Sequence, residues 1–388
     1  ASGANVLDSN NMIEAITLLD SSSATVSNYQ LPALNAANAA VTIMAKTVAL
    51  SAAKVYDGST DLSGFVSLTS GVAGESLDYT AAVASSADAV TSNNFVQSLT
   101  LLDSDTAVIS NYQLPTLNGT NAAVAISAKT VSLSAAKTYD GSNDLTGAVT
   151  LVTGIAGEYL DYSSASSSAV DVLASDNMIA AINLLDSSSA LAGNYLLPTL
   201  DAVNAPVSIS QRTVGLSATK VYDGNTNFSG AVSLVTGVAD EYLDYSGAIS
   251  TGSDVLDTEN MIAAINLVDS SSALASNYQL PTLDLDNAGV SISAKTVSLS
   301  AAKVYDANTD LSGAVTLFTG INGESLNYSS ATASGTAVLD SSNFIQTILL
   351  EDGALALASN YQLPTLNLDN GAVSISAKTV SLSVAKVY

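Results

Sequence analysis

In "TVSLSAAKTYDG", residues 130–141, Val131, Leu133, Ala135, Lys137 and Tyr139 share one parity, and Thr130, Ser132, Ser134, Ala136 and Thr138 share the other. Period two is the mark of a strand with one buried face. Asp140-Gly141 then supplies a turn, because glycine accepts positive φ and aspartate can bond its own backbone. Downstream, "GAVTLVTG", "EYLDYSS", "NMIAAINLLD", "NYLLP" and "PVSIS" predict five more strands, rich in Val, Thr, Ser and Tyr and poor in long straight-chain helix formers. An amphipathic helix over Met178–Asp186 competes with the fourth of these, since its apolar residues also show helical spacing. Its counterpart from Asn94, with Phe95, Gln97, Leu99 and Leu101 alternating, reads as a strand. The reading is therefore all-β: a β-sandwich of the immunoglobulin-like kind, with a β-grasp-like unit as the alternative.

The Lys-x-Tyr-Asp motif of this stretch stands at Lys54, Lys137, Lys220 and Lys303, and begins again at Lys386, always at intervals of 83 residues. A strict internal period marks a tandem array, in which each period is one structural module. Repeats are expected at 46–128, 129–211, 212–294 and 295–377. Asn28-Tyr29-Gln30-Leu31-Pro32 is in phase with Asn111-Tyr112-Gln113-Leu114-Pro115, so residues 1–45 match the rear half of a repeat and 378–388 its first strand. The chain thus reads as a stretch of a longer array. At the border, Val124 and Ile126 are even-numbered while Val131 and Leu133 are odd, so the buried face is expected to flip near Ala128–Lys129, ending one core and beginning the next. No Gly-, Pro- or Ser-rich spacer separates the repeats, which predicts stiff joints.

The chain has 35 acidic and 10 basic residues, for a net charge of −25. Nucleic acid and anionic membrane surfaces would be repelled at long range. There is no cysteine, histidine or tryptophan, which removes the ingredients of the commonest zinc sites, of cysteine nucleophiles and of histidine-based triads. No enzyme is expected. No run approaches the ~20 apolar residues that a membrane-spanning helix needs.

Within each repeat a lysine and a glutamate fall on apolar parities: Lys54 and Glu75, Lys137 and Glu158, Lys220 and Glu241, Lys303 and Glu324. Three readings stay open. The two charges sit at the core's edge, with the lysine stem packed on tyrosine and its ammonium reaching water or the glutamate. They form a buried ion pair that fixes strand register. Or the lysine is joined to an asparagine by an autocatalytic isopeptide bond, which needs a neutral amine, an amide and a desolvated carboxyl. The amide candidates are Asn111, Asn194, Asn277 and Asn360, although the parity of Asn194 is opposite to that of Tyr195 and Leu197 and points it to solvent or a turn. Calcium is the other candidate chemistry, from Asp284, Asp286 and Asn287 in "LDLDN", but the same phase reads "LNGTN" from Leu117 and "LDAVN" from Leu200. A solvated acidic surface fits better, and no cofactor is expected. Asp306-Ala307 lacks the turn glycine, at a cost of about 1 kcal/mol if that position needs positive φ.

With Lys54-Val55-Tyr56-Asp57-Gly58 opening a repeat and Asn111-Tyr112-Gln113-Leu114 near its end, the array resembles the YDG-type repeats of bacterial filamentous-haemagglutinin-like surface proteins. The resemblance covers the four full repeats and both partial ones. It implies an extracellular or cell-surface location and a structural role, as stalk or filament shaft of an adhesin-like protein. Partners would be neighbouring repeats or identical chains, with a glycan or surface receptor engaged elsewhere in the protein. A multivalent glycan- or calcium-binding array is the alternative.

Overall fold

The computed structural model describes residues 1–388 and is mostly β, with one seven-strand plan recurring every 83 residues. Two compact units divide the chain. The first comprises Ala1–Lys137, Asn143–Ala169 and Ser175–Ser208, and the second comprises Thr138–Ser142, Val170–Ala174 and Ile209–Tyr388. The division runs through repeat 129–211, whose Tyr139 turn and 170–174 loop belong with the residues that follow.

Repeat 46–128, wholly inside the first unit, gives the plan: β1 Lys46–Thr47, β2 Ala49–Val55, β3 Val66–Thr69, β4 Asp78–Ala84, β5 Val96–Leu102, β6 Tyr112–Gln113 and β7 Val124–Ser127. β2 is central to a three-stranded sheet, antiparallel to β3 and parallel to β7, with Ala52 opposite both Val66 and Val124. β1 pairs with β6 in parallel, and β4 with β5 as an antiparallel hairpin. The alternation read in the sequence is the cause: along β2 every second residue is buried, including Leu50, Ala52 and Lys54. In the next repeat all six strand stretches expected from the sequence form strands, the first of them split at Val131.

The stretch that also read as helical, Met178–Asp186, is a strand over Ile179–Leu185. Its helix-like spacing has a geometric origin. The register against Asp161–Ser167 shifts twice, after Ser163 and after Ser166, so the buried residues Ile179 and Ile182 stand three apart on one face. The bulge puts Ala81, Ser164, Gly247 and Ser330 in left-handed backbone, with φ of 53–64°, and only Gly247 adopts that conformation without strain.

The buried face flips at the repeat border, from Val124 and Ile126 to Val131 and Leu133. The core nevertheless continues across it. In the first unit one connected cluster runs from Leu50, Leu62 and Val96 to Leu145, Ile179 and Ala205. The link is a group at the leading end of the later repeat: Val131, Leu160, Ala190 and Tyr195. Their counterparts in repeat 46–128, namely Val48, Leu77, Ala107 and Tyr112, form a small cluster of their own.

Candidate functional site at the repeat junctions

What joins the clusters is built from the opening motif. The Nζ of Lys54 donates to Asp57 Oδ1 at 2.7 Å, to the Ser59 carbonyl at 2.6 Å and to the Asp61 carbonyl at 2.9 Å, which uses all three ammonium protons inside its own turn. Lys220 does the same with Asp223, Asn225 and Asn227, and Lys303 with Asp306, Asn308 and Asp310. Lys137 reaches the Asp144 carbonyl at 2.9 Å. The lysine beside Asp306 and the amides beyond it hold that carboxyl below its ordinary value. Each lysine therefore fixes the loop that follows its strand, and after Lys54, Lys137 and Lys220 that loop carries a tyrosine and a glycine to the next repeat.

Tyr56, 5% exposed, extends β2 by donating its N–H to the Ser127 carbonyl at 2.8 Å. Its hydroxyl lies 2.9 and 3.1 Å from the two carboxylate oxygens of Glu158, a residue of the following repeat. Tyr195 donates to the same carboxylate at 2.5 Å, and the two rings meet edge to face with centroids 5.4 Å apart. The arrangement recurs twice inside the second unit. Glu241 accepts from Tyr139 at 2.8 Å and from Tyr278 at 2.5 Å, and Glu324 accepts from Tyr222 at 2.9 Å and from Tyr361. Burial, then the carboxylate bond, pushes Tyr56, Tyr139 and Tyr222 up to about 12, and shifts Tyr195, Tyr278 and Tyr361 upward for the same reasons. A carboxylate that accepts two phenolic protons is strongly hydrogen-bonded without needing a cation.

A second tie lies beside the first. Asn194, 1% exposed, donates from Nδ2 to Asp88 at 2.8 Å and accepts the Ala89 N–H at 2.8 Å, both from the preceding repeat. Asn277 bonds Asp171 and Val172, and Asn360 bonds Asp254 and Val255, at 2.7–2.9 Å. Asn111 makes the same contacts with Asn5 and Val6. At the tyrosine junctions the turn glycine matters too. Gly58 has φ 76°, and a Cβ there would come within 3.0 Å of the Glu158 carboxylate and 3.3 Å of Ile155. Gly224 stands the same way against Glu324 and Ile321.

The expected lysine–glutamate pair is thus not what the structure builds. Lys54, Lys220 and Lys303 pair with Asp57, Asp223 and Asp306, while Glu75, Glu158, Glu241 and Glu324 each take a tyrosine hydroxyl. The proposed partners of an isopeptide bond are likewise engaged elsewhere, the amine in its own turn and the amide with the neighbouring repeat. Of the two places that parity left for Asn194, solvent or a turn, the structure has the turn: Asn194 closes the 3-10 turn Ala192–Asn194, and it is buried there. The recurrence of an acid at Asp88, Asp171 and Asp254 was the overlooked signal. Asp284 caps the short helix Leu285–Ala288 through the Asn287 N–H, and no group of three acidic residues is placed to hold a metal ion. No family model, curated protein or solved structure matches this chain.

Proposed function

We propose that this chain is a load-bearing spacer, a stalk or filament-shaft segment of an extracellular bacterial surface protein of the adhesin-like kind, built from two-layer, sandwich-like repeats. The observation that carries the reading is the recurrence of the same two ties, Tyr–Glu–Tyr and Asn–Asp, between consecutive repeats. Nearest-neighbour interfaces of this kind are what make a linear array resist bending and unfold cooperatively. A net charge of −25 acts in the same direction by keeping separate chains apart in dilute salt. The sandwich reading is supported by the three-stranded sheet and the hairpin sharing buried residues, Ala52 of β2 with Ala82 of β4 and Val96 of β5. In this reading the junction glutamates and asparagines serve cohesion.

Electron micrographs of the purified chain test the proposal. Rods of uniform length are expected, together with freely bent particles once Glu158, Glu241 and Glu324 are all changed to alanine. Wild-type particles as bent as that variant would overturn it. Surface labelling of intact source cells with an antibody against the repeats should stain them, and staining only after lysis would overturn the assigned location.

A further inference from the structure

The strand by which the chain enters a repeat and the strand by which it leaves run side by side in the same direction. In repeat 46–128 these are β2 and β7, paired in parallel over four positions, from Ala52 with Val124 to Val55 with Ser127. The ladder is flanked by the Ala52 N–H on the Ala123 carbonyl at 3.0 Å and the Tyr56 N–H on the Ser127 carbonyl at 2.8 Å. Nearer the entry, β1 pairs in parallel with β6, and Gln113 Nε2 donates to Thr47 Oγ1 across that pair at 3.0 Å. The long pair recurs as Gly215–Val221 with Val290–Ser293 and as Ser298–Val304 with Val373–Ser376, each with its own glutamine–threonine bond at 2.9–3.0 Å.

This topology decides how a repeat meets tension. Pulling on the two ends of a repeat draws β2 and β7 past each other along their own axes, so all rungs between them are loaded together. Parallel strands pulled apart sideways from one end open a rung at a time instead. While the rungs hold, the residues between β2 and β7 stay off the path of the load. The β4–β5 hairpin, with Ala81 held at φ 53°, is among them. Tyr56 adds a stop. It follows β2 directly, is 5% exposed and is bonded to Glu158 of the next repeat, so β2 cannot slide back without drawing the ring from its seat. Tyr222 is held by Glu324 in the same way.

We propose that the parallel entry and exit strands of each repeat are a shear clamp that carries tension along the chain, with the junction tyrosine as its stop. The proposal rests on the spacer reading for the source of the load, and deepens it by naming the strands that bear it.

Single-molecule stretching of the 388-residue chain tests the proposal, and the absence of cysteine makes introduced cysteines the only thiol anchors. One variant carries Ser298→Cys and Ser376→Cys, at opposite ends of the paired strands, and the other carries Val304→Cys and Ser376→Cys, at the same end. Ser298, Val304 and Ser376 are exposed, so both variants keep the fold. The first loads the ladder in shear and the second peels it. At one loading rate the sheared repeat should open at about twofold higher force or more, because its four register pairs share the load instead of breaking in turn. A release of roughly 240 Å, the extended chain between the anchors less their starting separation, identifies the opening of the repeat in both. Equal forces, or a stronger peeled repeat, overturn the clamp. For the stop, anchors at Ser217→Cys and Ser293→Cys shear repeat 212–294. Tyr222→Leu, still apolar but short of Glu324, should lower that force, and an unchanged force overturns the stop. Either failure is distinct from failure of the spacer reading, which is judged by the shape of single particles and by surface labelling.

Discussion

Replacing Tyr56 by phenylalanine removes one oxygen from a junction and leaves its packing in place. The ring stays edge to face with Tyr195 at 5.4 Å, and Glu158 keeps the Tyr195 hydroxyl. What is lost is donation to the carboxylate at 2.9 Å. A hydrogen bond to a charged group contributes about 1.5–3 kcal/mol. Glu158 is half-buried and can recover some water, which places the cost near the lower end. About 1.4 kcal/mol is a factor of ten in an opening equilibrium. Tyr305 supplies the internal control: it sits at the same phase and ends the same strand, but it is 38% exposed and pairs with no glutamate. Phenylalanine there should change stability by less than about 0.5 kcal/mol. Linked repeats need not unfold in two states, so the assay is native-state hydrogen exchange followed peptide by peptide. Tyr56→Phe should speed exchange about tenfold in peptides covering 50–58 and 155–160. Tyr305→Phe should change peptides covering 299–307 by about twofold at most. Equal responses at the two sites would refute the claim that the hydroxyl works through the next repeat.

Asn194→Ala should destabilise the junction by about 1–3 kcal/mol, since it removes a buried amide and leaves the half-buried Ala89 N–H and Asp88 carboxylate without their partner; the same local exchange reads it. Ala307→Gly should raise stability by about 1 kcal/mol, because Ala307 is held at φ 70°, and a thermal melt checks the sign. With pH, the junction tyrosines set the alkaline limit. Their folded values lie above the ordinary 10, so their contribution is complete below pH 10 and drains away as the pH climbs toward about 12. Tyrosinate absorbance should show the junction tyrosines, Tyr56, Tyr139 and Tyr222 with their partners Tyr195, Tyr278 and Tyr361, ionising after the other tyrosines and together with loss of structure, and their ionisation near 10 would contradict the burial argument. Intact mass should equal the sequence mass, since lysine and asparagine are held apart by different partners; a deficit of one ammonia per repeat would contradict that geometry.

The sequence made the strands legible because alternation and a fixed period are properties of each position alone. It also placed Tyr56, Glu75 and Lys54 on inward parities, and Tyr56 and Lys54 are buried. What parity cannot carry is the identity of the neighbour. Lys54 and Glu75 share a face by count, yet the lysine stem is long enough to fold back on its own turn, where three acceptors converge. Glu158 meets a tyrosine 102 positions earlier, a separation longer than a repeat, so looking within one module could not reveal it. The burial of Asn194 escaped for a different reason: a 3-10 turn resets the period that strands obey.

Repeat 295–377 separates what the fold needs from what the junction needs. It keeps all seven strands, from Lys295–Thr296 to Val373–Ser376, and its lysine still closes the turn on Asp306. Two residues differ from the other repeats at positions that face a following module: Ala307 stands where Gly58, Gly141 and Gly224 do, and Ala337 where Asp88, Asp171 and Asp254 do. At the first position a Cβ in an occupied junction would press within 2.8–3.0 Å of the next repeat's side chains. At the second, the partner of a buried asparagine is gone. Both changes are compatible with an intact repeat, so the glycine and the aspartate are not requirements of the module. At the three junctions described they serve the contact between modules instead, the glycine by leaving room for the next repeat's side chains and the aspartate by accepting from its asparagine.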